Sequence, residues 1–186
     1  MIIMGLFTSS KERHLWIAVA VVLTTIYATL SVSHAISTFL RDKGILEVTF
    51  GIGMVLIATT ILLFGVRKDL NITTLGVTSG ILAVYMLVLV RIEIPEERTH
   101  IIEYSVLAAF IYMALLERKQ NGGHVFSPLL IAILTASLAG LLDEVFQYML
   151  PDRVFDIRDI LFNCTAALMA VVSIMTLNRI SVLTRR

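Results

Sequence analysis

Six long apolar runs constrain the fold of this chain more than any other feature of its sequence. Each is close to the roughly 20 residues that an α-helix needs to cross the hydrocarbon core of a bilayer. The chain is 58% hydrophobic, whereas soluble domains are about 45–50% apolar. We therefore expect an all-α integral membrane bundle of about six transmembrane helices, forming a single domain over residues 1–186. The predicted spans are residues 15–33, 45–66, 72–90, 100–116, 126–149 and 157–177.

The residues before and after the first apolar run indicate whether it is a signal peptide or a membrane span. Lys11 and Arg13 precede a run that is longer than the apolar region of a signal peptide, so we expect a retained first span. After it, residues 31–44 fit two structures. They either extend the first helix or lie along the membrane interface as a short amphipathic piece.

The distribution of positive charge predicts the orientation. Six spans divide the 15 Lys and Arg residues into nine on the side of both termini and six on the other side. The positive-inside rule then predicts a multi-pass protein of the cell membrane with both termini in the cytoplasm. A net charge of +1 offers no basic surface for nucleic acid, so the expected partner is the lipid bilayer. The larger group comprises Lys11, Arg13, Arg67, Lys68, Arg118, Lys119, Arg179, Arg185 and Arg186.

A polar stretch between the fifth and sixth runs carries the strongest functional signal. Charge at the edge of a membrane helix is costly, so it usually pairs, faces the protein interior or serves a function. Between the two polar helix ends, Pro151-Asp152 predicts a tight turn. Helical spacing aligns two sets of polar residues, which are Asp143, Glu144 and Gln147 in the first and Asp156, Asp159 and Asn163 in the second.

A second polar group opens the fourth span. His100, Glu103 and Tyr104 are spaced three and four residues apart, so they share one face of a helix. With six spans, the third and fifth loops lie on the same side of the membrane. We therefore expect this group to meet the polar stretch at one depth, on the extracytoplasmic face if both termini are cytoplasmic.

Together these motifs resemble the VanZ-like family of small bacterial membrane proteins, which includes the teicoplanin-resistance-type VanZ. The resemblance covers about residues 98–170. Where the family often has Gly beyond the Asn, this chain has Ala166 and Ala167, and Ala also allows close helix packing. The resemblance implies a role at the cell envelope, in susceptibility to glycopeptide antibiotics, and implies no established chemical mechanism. The residues that carry it are Asp143, Glu144, Gln147, Pro151, Arg153, Asp156, Asp159 and Asn163, with the segment from Arg98 to Ala108 as a second signature.

The first of three functional hypotheses is a ligand site. A polar pocket between the fourth, fifth and sixth spans would bind the head group of an amphiphile, either a lipid or a lipid-linked cell-wall intermediate. Arg153 suits a phosphate or carboxylate because its guanidinium is planar and permanently charged. The candidate ligand-binding residues are Arg98, His100, Glu103, Tyr104, Asp143, Glu144, Gln147, Arg153, Asp156, Asp159 and Asn163.

The second hypothesis is an intramembrane hydrolase or transferase acting on a lipid-linked substrate. A His beside a carboxylate is sufficient for general acid–base catalysis, which makes His100, Glu103, Glu144 and Asp159 the catalytic candidates. The same acids, with Asp156, offer oxygen ligands that a divalent cation favours. The sequence contains no HExxH or CxxC motif, so it predicts neither a metal nor another cofactor.

The third hypothesis is a scaffold for a partner membrane protein, in which the polar residues form a satisfied network. Asp156 would cap the sixth helix, because an Asp at this position accepts a backbone N–H. Asn163 would hydrogen-bond between helices. Arg98 or Arg153 would pair with Glu144 or Asp159. The sequence alone leaves all three hypotheses open.

Overall fold

The computed structural model describes residues 6–52, 54–55, 59, 71–92, 95–150 and 154–184, and this part of the chain contains helices and no strand. Five of its helices are long and apolar enough to cross a membrane. They confirm the predicted helical membrane bundle. The helices are α1 (Ser10–Asp42), α2 (described over residues 46–52), α3 (Ile72–Arg91), α4 (Pro95–Gln120), α5 (Pro128–Tyr148) and α6 (Ile157–Thr184). Half of the predicted second span lies outside the described residues.

Helix α1 runs without a break over 33 residues to Asp42. Residues 31–42 therefore extend the first helix, and the separate interfacial piece is not formed. Gly44 follows with a φ of 68°, a left-handed conformation that commonly ends helices because glycine adopts it without a steric cost. Its N–H donates to the carbonyl of Arg41 at 2.8 Å.

Polar side chains cap the starts of three helices. Asn71 accepts a hydrogen bond from the backbone N–H of Thr73 at the start of α3, and Ser127 accepts one from Leu130 at the start of α5. Asp156 precedes α6, and its Oδ1 accepts the N–H of Arg158 at 2.8 Å. Each cap satisfies one of the backbone donors that a helix leaves unpaired at its start.

The chain forms two compact units. The first consists of Met1–Ser33 and Thr99–Val171, and the second consists of His34–Arg98 and Val172–Arg186. The first unit contains most of the residues that the sequence marks as functional. The single domain that the sequence predicts stays a prediction.

The core of the first unit joins one face of α4 to small side chains of α5 and α6. Small residues let helix backbones approach closely inside a membrane protein, where burial of apolar surface gives little drive. Larger apolar side chains such as Leu134 and Leu138 face outward, as a lipid environment allows. The buried core residues are Ile101, Tyr104, Leu107, Ala108 and Ile111 on α4, Ala132, Ala136 and Ala139 on α5, and Ala166, Ala167 and Ala170 on α6.

Two hydrogen bonds to backbone carbonyls join the helices of this core. The hydroxyl of Ser105 on α4 donates to the carbonyl of Ala166 on α6 at 3.2 Å. The hydroxyl of Tyr27 on α1 donates to the carbonyl of Ala139 on α5 at 3.0 Å. The Tyr27 ring also packs edge-to-face on Phe146, with 5.5 Å between ring centroids. These contacts join α4 to α6 and α1 to α5.

The opposite end of α4 is tied to the start of α1 by Glu12, whose side chain is fully buried. Its carboxylate accepts the backbone N–H and the hydroxyl of Thr8 at 2.6 and 2.7 Å. It also accepts Nε of Arg118 at 2.8 Å and the indole N–H of Trp16 at 3.3 Å. Arg118 in turn donates to the carbonyl of Leu6. This junction has the full set of partners that a buried carboxylate needs.

Candidate functional site

Three helices of the first unit meet at His100, which lies in the second turn of α4. Its Nδ1 is 3.7 Å from Oδ2 of Asp143 in α5, and its Nε2 is 3.5 Å from Oδ2 of Asp159 in α6. The imidazole stacks on the ring of Tyr104, with 6.2 Å between centroids and 11° between planes. Both nitrogens of one buried His thus face a carboxylate, each on a different helix.

Glu144 joins the end of α5 to the start of α6. Its Oε2 accepts the backbone N–H of Asp156 at 3.1 Å, and the Asp156 side chain caps α6. The Glu144 side chain is 0% exposed, and its Oε1 has no hydrogen-bond partner among the residues that the structure describes. One oxygen of this carboxylate is therefore fixed by the backbone, and the other remains available inside the protein.

His100, Glu144 and Asp159 form the centre of the site. One ligand-capable atom from each lies within 4.8 Å of the others. We call these three residues the HED cluster. They come from three helices and are separated by up to 59 positions in the sequence. Tertiary packing, not a linear motif, brings them together.

Four further predicted residues surround the HED cluster or lie beside it on the same helices. Asp143, Gln147 and Asn163 are buried, at 1%, 4% and 0% exposure, and Tyr104 is completely enclosed in the helix core. Asn163 lies one turn beyond Asp159 on α6. Its amide has no hydrogen-bond partner within the described ranges, so the predicted interhelical hydrogen bond is not formed there.

Among the described residues of the site, acidic groups outnumber basic ones. Asp143, Glu144 and Asp159 contribute three carboxyl groups, while His100 contributes the single imidazole that faces them. Taking a carboxylate out of water is costly unless protons, hydrogen bonds or a cation compensate for the lost hydration. The site is consequently suited to a ligand that brings hydrogen-bond donors or positive charge.

Two predicted residues, Glu103 and Arg98, are not members of the HED cluster, and a third, Arg153, is not among the described residues. Glu103 is half-buried one turn along α4 from His100 and is not one of its three members. Arg98 belongs to the second unit, where it donates to Glu47 at 2.8 Å and to the carbonyl of Ile92 at 3.0 Å. Arg153 and the predicted Pro151-Asp152 turn lie outside the described residues. The roles of these residues stay predictions.

Gly140 is a residue of the site that the sequence analysis did not single out. It is buried on α5 one turn before Asp143, and Asn163 of α6 packs directly against it. The signal was present, because Gly140 lies three residues before Asp143 and therefore on the same helix face. A glycine at such a position marks a close approach between two helices.

Comparison with known proteins shows that the similarity to the family covers more of the chain than the motifs do. The family model described as VanZ/LLP1 matches residues 2–178, whereas the recognised motifs cover about residues 98–170. The match includes the whole HED cluster and nearly the entire chain. No curated protein and no solved structure matches the chain.

Proposed function

Because the chain belongs to the VanZ/LLP1 family, we propose that it acts at the cell envelope by binding the head group of an amphiphile. The ligand is a lipid or a lipid-linked cell-wall intermediate, and binding lowers susceptibility to glycopeptide and lipoglycopeptide antibiotics. One observation carries the proposal. His100, Asp143, Glu144 and Asp159 converge from three membrane helices on one buried site, which is more polarity than holding a bundle together requires.

The donor and acceptor chemistry of the site favours a head group rich in hydroxyl or amino groups. Glu144 Oε1 and both oxygens of Asp143 are buried, and carboxylate oxygens accept hydrogen bonds from sugar hydroxyls and amines. Arg153, which follows α5 by a few residues, supplies a guanidinium suited to a phosphate. A phosphate joined to a sugar, on a lipid carrier, combines both features.

The position of the site along the helices supports a lipid as the ligand. His100 is near the start of α4, Glu144 is near the end of α5 and Asp159 is in the first turn of α6. The site is therefore at helix ends, where head groups of a bilayer lie. Phe146 and Phe155 are partly exposed nearby in the sequence and offer apolar surface to an acyl or prenyl chain. We propose that this end is extracytoplasmic and that both termini are cytoplasmic.

A second candidate function is hydrolysis or transfer on the same lipid. The observation that favours it is the position of His100 between Asp143 and Asp159. A carboxylate beside one imidazole nitrogen orients the ring and stabilises its protonated form, while the other nitrogen exchanges a proton with the reacting group. Glu144 would then hold the head group in place.

The test combines antibiotic susceptibility with ligand binding. We expect a teicoplanin-sensitive host to become less sensitive when it produces the wild-type chain, and to gain no protection from Arg153→Ala or Glu144→Gln. Undecaprenyl phosphate added to the purified protein in detergent should raise the unfolding temperature, whereas undecaprenol, which lacks the phosphate, should not. Glu117→Gln is the matched control, since it removes a carboxylate about 25 Å away along α4 at 1.5 Å per residue. Wild-type behaviour of Arg153→Ala and Glu144→Gln in both assays would contradict the proposal.

Turnover separates the enzyme from the binding protein. The purified chain is incubated with undecaprenyl diphosphate, and released phosphate is measured over time. Phosphate release that Glu144→Gln and His100→Asn abolish, and that Glu117→Gln retains, would support catalysis. Binding without release would leave the head-group site as the function.

A further inference from the structure

The HED cluster has the composition of a metal site as well as that of a polar pocket. One imidazole nitrogen and two carboxylate oxygens, all within 4.8 Å of one another, come from α4, α5 and α6. Mixed nitrogen and oxygen ligands of this kind bind first-row divalent cations such as Zn²⁺ and Mn²⁺. We infer that His100, Glu144 and Asp159 bind one divalent metal ion. This inference rests on the cluster alone and does not depend on a lipid ligand.

The separation between the His100 imidazole and the Asp159 carboxylate fits a shared ion. Nε2 of His100 is 3.5 Å from Oδ2 of Asp159. Two atoms that each lie about 2.1 Å from a tetrahedral zinc ion are about 3.4 Å apart. The observed distance is thus close to that of neighbouring ligands on one metal.

The second oxygen of Glu144 provides independent support. This side chain is 0% exposed, and its Oε1 has no hydrogen-bond partner among the described residues. Because Oε2 accepts the N–H of Asp156, the carboxylate is held in a fixed orientation before any ion arrives. An unpaired oxygen at a fully buried position is costly, and a bound cation would remove that cost.

Asp143 completes the arrangement from the other side of the imidazole. Its Oδ2 lies 3.7 Å from Nδ1 of His100, the nitrogen that faces away from Asp159. A metal-binding His commonly donates its other N–H to a carboxylate, which fixes the ring and strengthens the ligand. Asp143 is therefore a positioning residue, and closing this distance on metal binding would form that hydrogen bond.

The charge balance and the number of ligands indicate what the ion would do. A divalent cation offsets the carboxylates of Asp143, Glu144 and Asp159 at a position where water does so poorly. Three protein ligands leave at least one coordination position open, as in catalytic rather than structural zinc sites. An open position accepts a water molecule or the oxygen of a phosphate. No linear metal motif is present because the ligands come from three separate helices.

The experiment measures binding of the metal alone to the purified full-length chain in detergent. The protein is stripped with a chelator, and Mn²⁺ binding is followed by electron paramagnetic resonance, with Zn²⁺ as a competitor. We expect one ion per chain and a rise in the unfolding temperature. Asp143→Asn should weaken binding by about 10- to 100-fold, as removal of a metal ligand's carboxylate partner does elsewhere. Glu144→Gln and Asp159→Asn should lose binding altogether.

Glu117→Gln is again the control, because it removes one negative charge from α4 at the far end of that helix and should bind as wild type does. The wild-type measurement decides the question even if a variant fails to fold. Absence of Mn²⁺ and Zn²⁺ binding by the wild-type chain would overturn the inference. Equal binding by wild type, Glu144→Gln and Asp159→Asn would also overturn it, since the ions would then be bound elsewhere. If the wild-type chain binds the metal but does not lower antibiotic susceptibility, the proposed function is rejected and the metal site stands.

Discussion

A Cβ atom on Gly140 of α5 would lie 2.6 Å from the Cβ of Asn163 on α6. Real side-chain atoms do not approach this closely, so the two helices meet where one of them has no side chain. Asn163 is fully buried at this contact and lies one turn from Asp159. The contact therefore fixes how far α6 approaches α5, and with it where Asp159 stands relative to Glu144.

We expect Gly140→Ala to destabilise the protein by about 1–3 kcal/mol, the usual cost of forcing extra volume into a packed core. Thermal unfolding in detergent provides the measurement. Gly80→Ala is the matched control, because a Cβ at Gly80 in α3 meets nothing within 4 Å. That control should be neutral or slightly stabilising, since alanine favours helices over glycine. Equal effects of the two substitutions would show that the close contact is unimportant.

The cap of α6 gives a second prediction. Asp156→Ala removes the oxygen that accepts the N–H of Arg158 and should cost about 0.5–2 kcal/mol. Asp156→Asn should stay near wild type, because asparagine caps helices as well as aspartate does. Both variants keep the backbone N–H that donates to Glu144. Chemical unfolding followed by circular dichroism compares them, and a loss in Asp156→Asn equal to that in Asp156→Ala would mean that charge, not capping, matters.

The junction between α1 and α4 gives a third prediction. Glu12→Ala leaves the N–H of Thr8 and the indole of Trp16 without their acceptor and should cost about 1–3 kcal/mol. Trp16 is the only tryptophan, so its fluorescence reports directly on this junction during unfolding. Lys11→Ala is the control, because Lys11 is 71% exposed in its pair with Glu117 and such surface pairs contribute little. The prediction is wrong if Glu12→Ala and Lys11→Ala have the same free energy of unfolding as the wild type.

Much of the helical framework is readable from the sequence because it depends on local properties. The predicted third span, residues 72–90, has nearly the same bounds as the helix Ile72–Arg91. Length and apolar composition, which are local properties, decide whether a segment spans a bilayer. The extension of α1 to Asp42 was harder to predict from the sequence. Residues 31–42 fit either of two environments, and only the formed structure distinguishes them.

Partner choice was less predictable than helix position. The sequence predicted Glu144 or Asp159 as the partner of Arg98, whereas the structure pairs Arg98 with Glu47 in the second unit. Glu103 shares a helix face with His100, yet it is not a member of the HED cluster. Spacing of three residues leaves a rotation of about 60° around the helix axis, which is enough to separate two side chains inside a tight site.

By itself the sequence determined that the chain forms membrane helices, which polar residues stand at their ends, and which family it belongs to. These follow from composition, period and motif. The tertiary structure alone decided that His100, Glu144 and Asp159 approach within 4.8 Å of one another. That approach depends on how each helix is rotated and how closely it packs, and contacts between distant residues such as Gly140 and Asn163 set both.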